Sequence, residues 1–274
     1  MKHIKYIAII YLMPPKKVIT KNSTSATTNS TNGRNITEFL GNYVYDKNIH
    51  PNGYTNTRIG DKKLKIYGGT WNIPDEQYET FLNLYYNEVV AKKKKEYYTE
   101  RQLSDEGAIA IDLDFRHDVT IDERQYNLNH IITFIDTYVS KIEELFEIVD
   151  EDVSIPIYVF EKPKVNQDKV KNVTKDGIHV IIGLNCNCLI KQILRTHMLT
   201  EISSIFNDIS MLDDWTWDSV FDEGVAHATT PWQLFGSRKP NNDKYELTRV
   251  FNLTIDVENQ EFIRSEIPIQ DFKI

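Results

Sequence analysis

The stretch IAIDLDFRH at residues 109–117 sets two carboxylates, Asp112 and Asp114, one residue apart inside an apolar run. On a pleated strand alternate side chains face opposite ways, so the aspartates share one face while Ile111, Leu113 and Phe115 share the other. Two carboxylates this close repel, and burial raises the pKa of at least one unless a cation lies between them. A divalent metal answers that need; a strand edge with both aspartates solvated is the alternative that this stretch leaves open. His179 interrupts a second apolar run, DGIHVIIG at 176–183, with Gly177 two positions before it on the same face. A glycine there lets something bulky approach the backbone. Further on, WDSVFDEGVA at 217–226 offers Asp222 as the best candidate for a third metal ligand, with Asp218 and Glu223 as rivals. The segment GSRKP at 236–240 brings a hydroxyl, Ser237, and two cations, Arg238 and Lys239, directly after an apolar run. That set suits phosphate oxygens; a basic surface turn is its structural alternative.

The elements expected to hold these residues come in a readable order. Residues 108–116 read as a strand, 127–148 as an amphipathic helix, 155–161 and 176–183 as strands joined by a lysine-rich connection, and 188–208 as a second helix. Trp215–Phe221 and Trp232–Phe235 read as further extended segments. This β-α-β-β-α-β succession is the split βαβ arrangement, in which the first and third strands lie side by side at the centre of the sheet. His179 is thereby expected close to the two aspartates. An α+β fold follows, with a catalytic core at 106–260 and a smaller N-terminal α/β half at 38–105. In that half the strand-like KLKIYGGTWNI at 63–73 leads into a helix opened by Pro74, Asp75 and Glu76, with Tyr78, Phe81, Leu82, Tyr85 and Val89 at helical spacing.

Residues 1–37 are expected to be flexible, because TKNSTSATTNSTNGRNIT at 20–37 has almost no apolar side chains. The opening MKHIKYIAIIYLM lacks a small-residue cleavage site and is too short to span a bilayer, so it reads as an edge strand or a disordered start. No other segment is expected to cross a membrane.

The 274 residues, 41% hydrophobic and 11% aromatic, suffice for a folded protein, and the net charge of −8 argues against coating nucleic acid through bulk charge. Local basic blocks do occur, at Lys92–Lys95 and at Lys162, Lys164, Lys169, Lys171 and Lys175. Two cysteines, Cys186 and Cys188, are too few for a disulfide scaffold and point to a reducing compartment. With His197 they would make three zinc ligands lacking a fourth, a weak signal.

Taken in order, DLD at 112–114, GIH at 177–179, VFD at 220–222 and WQLFGSRKP at 232–240 resemble the motifs of the archaeo-eukaryotic primase superfamily. More narrowly, the chain is similar to the primase-polymerase domain at the front of the primase-helicases of large double-stranded DNA viruses. The resemblance implies an archaeo-eukaryotic primase-like fold with a split βαβ (RRM-like) catalytic half, and nucleotidyl transfer from nucleoside triphosphates templated by single-stranded DNA. It implies Asp112, Asp114 and Asp222 as ligands of Mg2+ or Mn2+, His179 as a catalytic contact to the incoming nucleotide, and Ser237, Arg238, Lys239 and Arg116 as further nucleotide contacts. The lysine-rich 162–175 connection would track the template. A helicase module or subunit is the implied partner, and the interior of the host cell, in the cytoplasm or at a viral replication site, is the implied location. Two departures stand out: 274 residues leave no room for a helicase, and the family's serine-like position two before the motif histidine is Gly177. A metal-dependent nuclease, a sugar-nucleotide transferase and a non-catalytic nucleic-acid-binding replication module are the competing readings.

Overall fold

Apolar side chains recur at Ile131, Phe134, Ile135, Tyr138, Val139 and Ile142, the three-and-four spacing of one helix face, and all six are buried in the main core. They belong to a helix whose start is fixed by Asn127: its side chain accepts from the backbone N–H groups of Asn129 and His130, while the His130 ring accepts from Asn127 N–H. The computed structural model of the chain describes residues 35–51, 53–146, 154–256, 259 and 261–271. The expectations for residues 1–34, and the last two residues of the helix expected at 127–148, lie outside the described residues.

The chain forms two units, one built from Arg101–Trp232 with the described part of Asn241–Phe272, the other from the described residues up to Glu100 with Gln233–Pro240. The larger unit is α+β. Its strands are β4 (Ala108–Asp118), β5 (Ser154–Glu161), β6 (Asn166–Asp168), β7 (Val173–Asn185), β9 (Glu246–Asp256) and β10 (Glu261–Ile267). They form a six-stranded sheet in the order β10-β9-β5-β7-β4 with β6 beside β7, and every pairing is antiparallel. The helix Leu128–Leu145 connects β4 to β5, and β7 lies between those two strands. A second long helix, Cys188–Ile205, is started by the Asn187 side chain accepting from Ile190 N–H. Ile109, Ile111, Leu113 and Phe115 of β4 and Ile178, Val180 and Ile182 of β7 join both helices in one core.

Two extended segments expected from the sequence turn out otherwise. Residues 215–221 hold a one-turn helix, Trp217–Val220, because the Thr216 side chain caps it by accepting from Ser219 N–H. Phe221 meets β4 only at a single bridge to Leu113, so β4 ends the ladder instead of lying at its centre. A local cap has outcompeted strand pairing, as Thr and Asp side chains often do. Trp232–Phe235 supplies only the two-residue strand β8, Trp232–Gln233, which belongs to the other sheet.

The smaller unit has a four-stranded sheet in the order β2-β1-β3-β8, with β1 at Asn56–Arg58, β2 at Gly69–Trp71 and β3 at Tyr98–Glu100. The strand expected over 63–73 shrinks to Gly69–Trp71, and the helix expected at Pro74 runs over Asp75–Tyr85 with Pro74 at its N-cap. Phe39, Leu40, Trp71, Phe81, Leu82, Tyr85, Tyr98 and Leu234 form its core.

Glu100 is 9% exposed, and burial pushes its carboxyl up to about 7, against a hydrogen bond from the Tyr78 hydroxyl that favours the ionised form. The folded-state value lies above the unfolded one near 4.5, so this group costs nothing at low pH and removes stability as pH rises from about 4.5 to 7. Glu100→Gln is expected to raise stability at pH 8 by up to about 3 kcal/mol and to change little at pH 4.5. Denaturant unfolding at the two pH values measures the difference.

Candidate active site

The antiparallel register of β4 against β7 pairs Asp112 with His179, Asp114 with Gly177 and Arg116 with Lys175. Because strand side chains alternate, these residues share the face turned away from the helices. His179 Nε2 lies 3.4 Å from Asp112 Oδ1, with both side chains largely enclosed. Arg116 extends along the same face, its NH2 3.6 Å from Asp114 Oδ2 and its guanidinium stacked 3.6 Å from the centre of the Trp215 ring. Trp215 is fixed in turn by its indole N–H, which donates to the carbonyl of Asp114 at 2.8 Å.

His179 is held between aromatic partners. Tyr245 stacks on the imidazole with ring centres 3.6 Å apart and planes at 19°, and Trp232 lies 4.6 Å away at 42°. Gly177 explains how Tyr245 gets so close: a Cβ there would stand 2.6 Å from the Tyr245 hydroxyl and 3.0 Å from the Leu113 carbonyl. Partial burial, reinforced by the Asp112 and Asp114 carboxylates, pushes the Tyr245 hydroxyl well above its ordinary value, so it stays protonated. Apart from the glycine two positions before His179, nothing in the sequence pointed to Tyr245 or Trp215 as parts of this face, and Trp232 stood only as the first residue of the 232–240 motif.

The start of β7 is anchored by charge. Asp176, fully buried, receives a two-pronged hydrogen bond from Arg124, Nε to Oδ2 at 2.8 Å and NH2 to Oδ1 at 3.1 Å, while Arg124 NH1 also reaches Glu161 at 2.8 Å.

Asp222 arrives at the open edge of β4, where its backbone N–H donates to the Asp112 carbonyl at 3.0 Å. Its side chain caps the short helix Glu223–Ala226 by accepting from Val225 N–H at 3.0 Å. The rivals are engaged elsewhere: Asp218 with Arg195 at 3.0 Å, and Glu223 with His227 at 3.5 Å.

Ser237, Arg238 and Lys239 belong to the smaller unit. Ser237 differs from the expectation of a phosphate-facing hydroxyl. It is buried, and its Oγ accepts from Tyr98 N–H at 3.0 Å and shares a hydrogen bond with the Tyr85 hydroxyl at 2.9 Å, so its hydroxyl ties the turn to the core. Gly236 makes that turn possible with φ of +88°, in the left-handed region. Arg238 is half-buried, its N–H donating to the Glu96 carbonyl at 2.9 Å, and Lys239 is exposed.

Asp112 and Asp114 offer hard carboxylate oxygens on one face, the donor type that Mg2+ or Mn2+ takes. Magnesium commonly needs only one or two protein carboxylates, with water and substrate phosphates completing its octahedron. Among the described residues no group of three or more His, Cys, Asp or Glu side chains is arranged as an ion cage, and the zinc set of Cys186, Cys188 and His197 does not assemble. The residues fit a divalent ion shared with a substrate better than a closed protein site. No described helix is long and apolar enough to cross a membrane.

Residues 61–251 match the family model described as the C962R protein N-terminal AEP domain, AEP standing for archaeo-eukaryotic primase. The chain belongs to this primase family. Such domains are in general nucleotidyltransferases, typically dependent on divalent metal, and the assignment supports a replication-related primase domain. The chain is also 32% identical over 201 residues to a protein of Acanthamoeba polyphaga mimivirus named "Putative helicase L207/L206". The match covers 71% of this chain and 20% of that relative, so the primase domain spans about a fifth of the relative's length.

Removing Arg124 leaves Asp176 buried without its cation, so Arg124→Ala is expected to cost about 3 kcal/mol or more in denaturant unfolding. Loss of the Asp222 cap in Asp222→Ala is expected to cost about 1 kcal/mol, whereas Asp222→Asn, an equally good cap, changes stability by only a few tenths, about the scatter of the same measurement.

Proposed function

We propose that this primase domain is a template-directed primase-polymerase, joining nucleotides from nucleoside triphosphates along single-stranded DNA during viral DNA replication. The observation that carries the reading is the pairing of Asp112 with His179 and of Asp114 with Gly177 on the sheet face turned away from the helices, in a chain of the primase family. Asp112 and Asp114, with Asp222 at the strand edge, are proposed to hold Mg2+ or Mn2+. When bound, the metal supplies a lowered pKa for the attacking 3′-hydroxyl and charge neutralisation on the triphosphate.

The chain's own residues are proposed to orient the substrate. His179, clamped by Tyr245 and Trp232, contacts the phosphates of the incoming nucleotide from a fixed ring plane. Arg116 keeps its charge at the basic end of the face, where stacking on Trp215 limits its rotamers, so its binding of a phosphate sacrifices little side-chain entropy. Arg238 and Lys239 are proposed to neutralise charge on the leaving pyrophosphate; Ser237, spent inside the smaller unit, serves their turn and not the ligand. Lys164, Lys169 and Lys171 around the β6–β7 hairpin are proposed to follow the template backbone. The catalytic half is proposed to be of the split βαβ type, with the helix Leu128–Leu145 crossing from β4 to β5 around β7. The helicase-named relative supports a helicase module or subunit as the working partner; the interior of the host cell, in the cytoplasm or at a viral replication site, is proposed as the location.

The test is incorporation of labelled nucleotides on a primed single-stranded template with Mg2+ or Mn2+. Asp112→Ala, Asp114→Ala in one chain is expected to lower incorporation by about a thousandfold or more while leaving the fold intact by circular dichroism. Template degradation without incorporation by the unmodified chain would place the activity with nucleases instead.

A further inference from the structure

Tyr245 has a feature that packing alone does not require. Its ring is engaged, stacked on His179 at 3.6 Å and with Lys162 Nζ 5.2 Å from its centre. A phenylalanine would make both contacts. The hydroxyl, in contrast, has no hydrogen-bond partner among the described residues, although it sits partly buried beside the Asp112 and Asp114 carboxylates. Its oxygen is not among the buried unpaired polar atoms, so solvent reaches it, and a ligand entering this face would take the place of that water as acceptor. The backbone has moreover been cleared for it: the hydroxyl occupies the spot where any side chain at position 177 would begin. Gly177 lies directly across from Asp114 and two residues before His179, so the donor stands in the same row as the acidic pair and the imidazole.

We propose that Tyr245 is a ligand-contacting residue of this face: its ring fixes the plane of the His179 imidazole, and its hydroxyl, seated at the empty side-chain position of Gly177, donates a hydrogen bond to a phosphate oxygen. This deepens the proposed function and rests on it for the nature of the ligand. The neighbourhood favours phosphate over a neutral acceptor. Lys162 lies over the same ring, and Arg116 and Lys175 form the next row of the sheet face, so positive charge flanks the donor on the side away from Asp112. The phosphate belongs either to a nucleoside triphosphate or to a strand of DNA, and the two sources are separable by experiment.

The experiment compares the unmodified chain with Tyr245→Phe, Tyr245→Leu and Gly177→Ala, in three measurements on each. The first is binding of a nucleoside triphosphate with Mn2+, the second binding of labelled single-stranded DNA without nucleotide, and the third KM and kcat of incorporation; melting temperature and the NMR signals of the His179 ring are recorded alongside. Tyr245→Phe keeps the stack and loses only the donor. It is expected to weaken phosphate-ligand binding about tenfold, the usual size for a hydrogen bond to a charged group, with melting temperature and His179 ring signals unchanged. Gly177→Ala is expected to weaken the same ligand by displacing the hydroxyl, and Tyr245→Leu to shift the His179 signals and lower kcat as well. Loss confined to the triphosphate, with KM raised and kcat kept, assigns the contact to the incoming nucleotide; loss confined to DNA assigns it to the strand. Unchanged binding of both ligands by Tyr245→Phe overturns the proposal, as does a loss that simply follows a fall in melting temperature. If the unmodified chain binds the triphosphate and never incorporates it while Tyr245→Phe still binds more weakly, the polymerase reading fails and the Tyr245 contact stands.

Discussion

The register of β4 against β7 is the constraint on which the site depends. From Ile109 opposite Ile182 to Asp118 opposite Val173, each step along β4 fixes which residue of β7 stands beside it. Side chains alternate with period two, so a slip of one residue would turn Asp112 and Asp114 into the core and Leu113 and Phe115 out to solvent. Burying two carboxylates against the helices costs several kcal/mol each without partners, and exposing Ile111, Leu113 and Phe115, all with no measurable exposure, forfeits about 2 kcal/mol apiece. The same apolar face that stabilises the domain therefore excludes the one-residue slips that would turn Asp112 away from His179.

The acidic face is also kept in place by the groups packed around it. Arg124 holds Asp176 at the head of β7, one residue before Gly177, and Trp215 clamps the Asp114 carbonyl while lying under Arg116. Tyr245 and Trp232 limit the His179 ring to one plane. Rigid aromatic and bidentate contacts restrict motion before a ligand arrives, so less order has to be created on binding. Carboxylates presented as a pair, without a closed cage, make ion binding depend on oxygens brought by the substrate. Under the proposed function such a face would couple metal and nucleotide, since each would complete the other's coordination.

What the sequence disclosed followed from whether a signal was local. The Asp112–Asp114 alternation and the helix stripe from Ile131 to Ile142 are periodic patterns, and both are found in the described structure. The nearness of His179 to the aspartates needed the strand order as well: the β-α-β-β-α-β succession set the first and third strands side by side, as β4 and β7 are, but put β4 at the centre where it lies at the edge. The region 215–221 misled because its aromatic residues resemble a strand, while Thr216 and Asp222 each cap a short helix. Tyr245 was out of reach: it lies in a non-periodic segment before β9, and only the fold brings it to Gly177. Ser237 stood in a segment that reads as a set of phosphate contacts, yet burial of its hydroxyl between Tyr85 and Tyr98 depends on the smaller unit's core.

Hydrogen-bonding capacity separates the remaining candidates more sharply than proximity does. A serine hydroxyl offers one donor and two lone pairs, and Ser237 commits itself to two partners inside a core from which a ligand is excluded. An ionised carboxylate offers about four lone-pair sites on two oxygens. Asp222 gives one oxygen to Val225 N–H, and that cap fixes the rotamer without exhausting the group. Its backbone is tied to Asp112, so the second oxygen is carried on a short, ordered stem at the edge of the acidic strand. Asp218 instead faces the guanidinium of Arg195, whose charge would have to be given up before the carboxylate could serve a metal. The cap on Asp222 therefore does not compete with a role in ion binding: it removes the side-chain entropy that a mobile surface aspartate would lose on coordinating a cation.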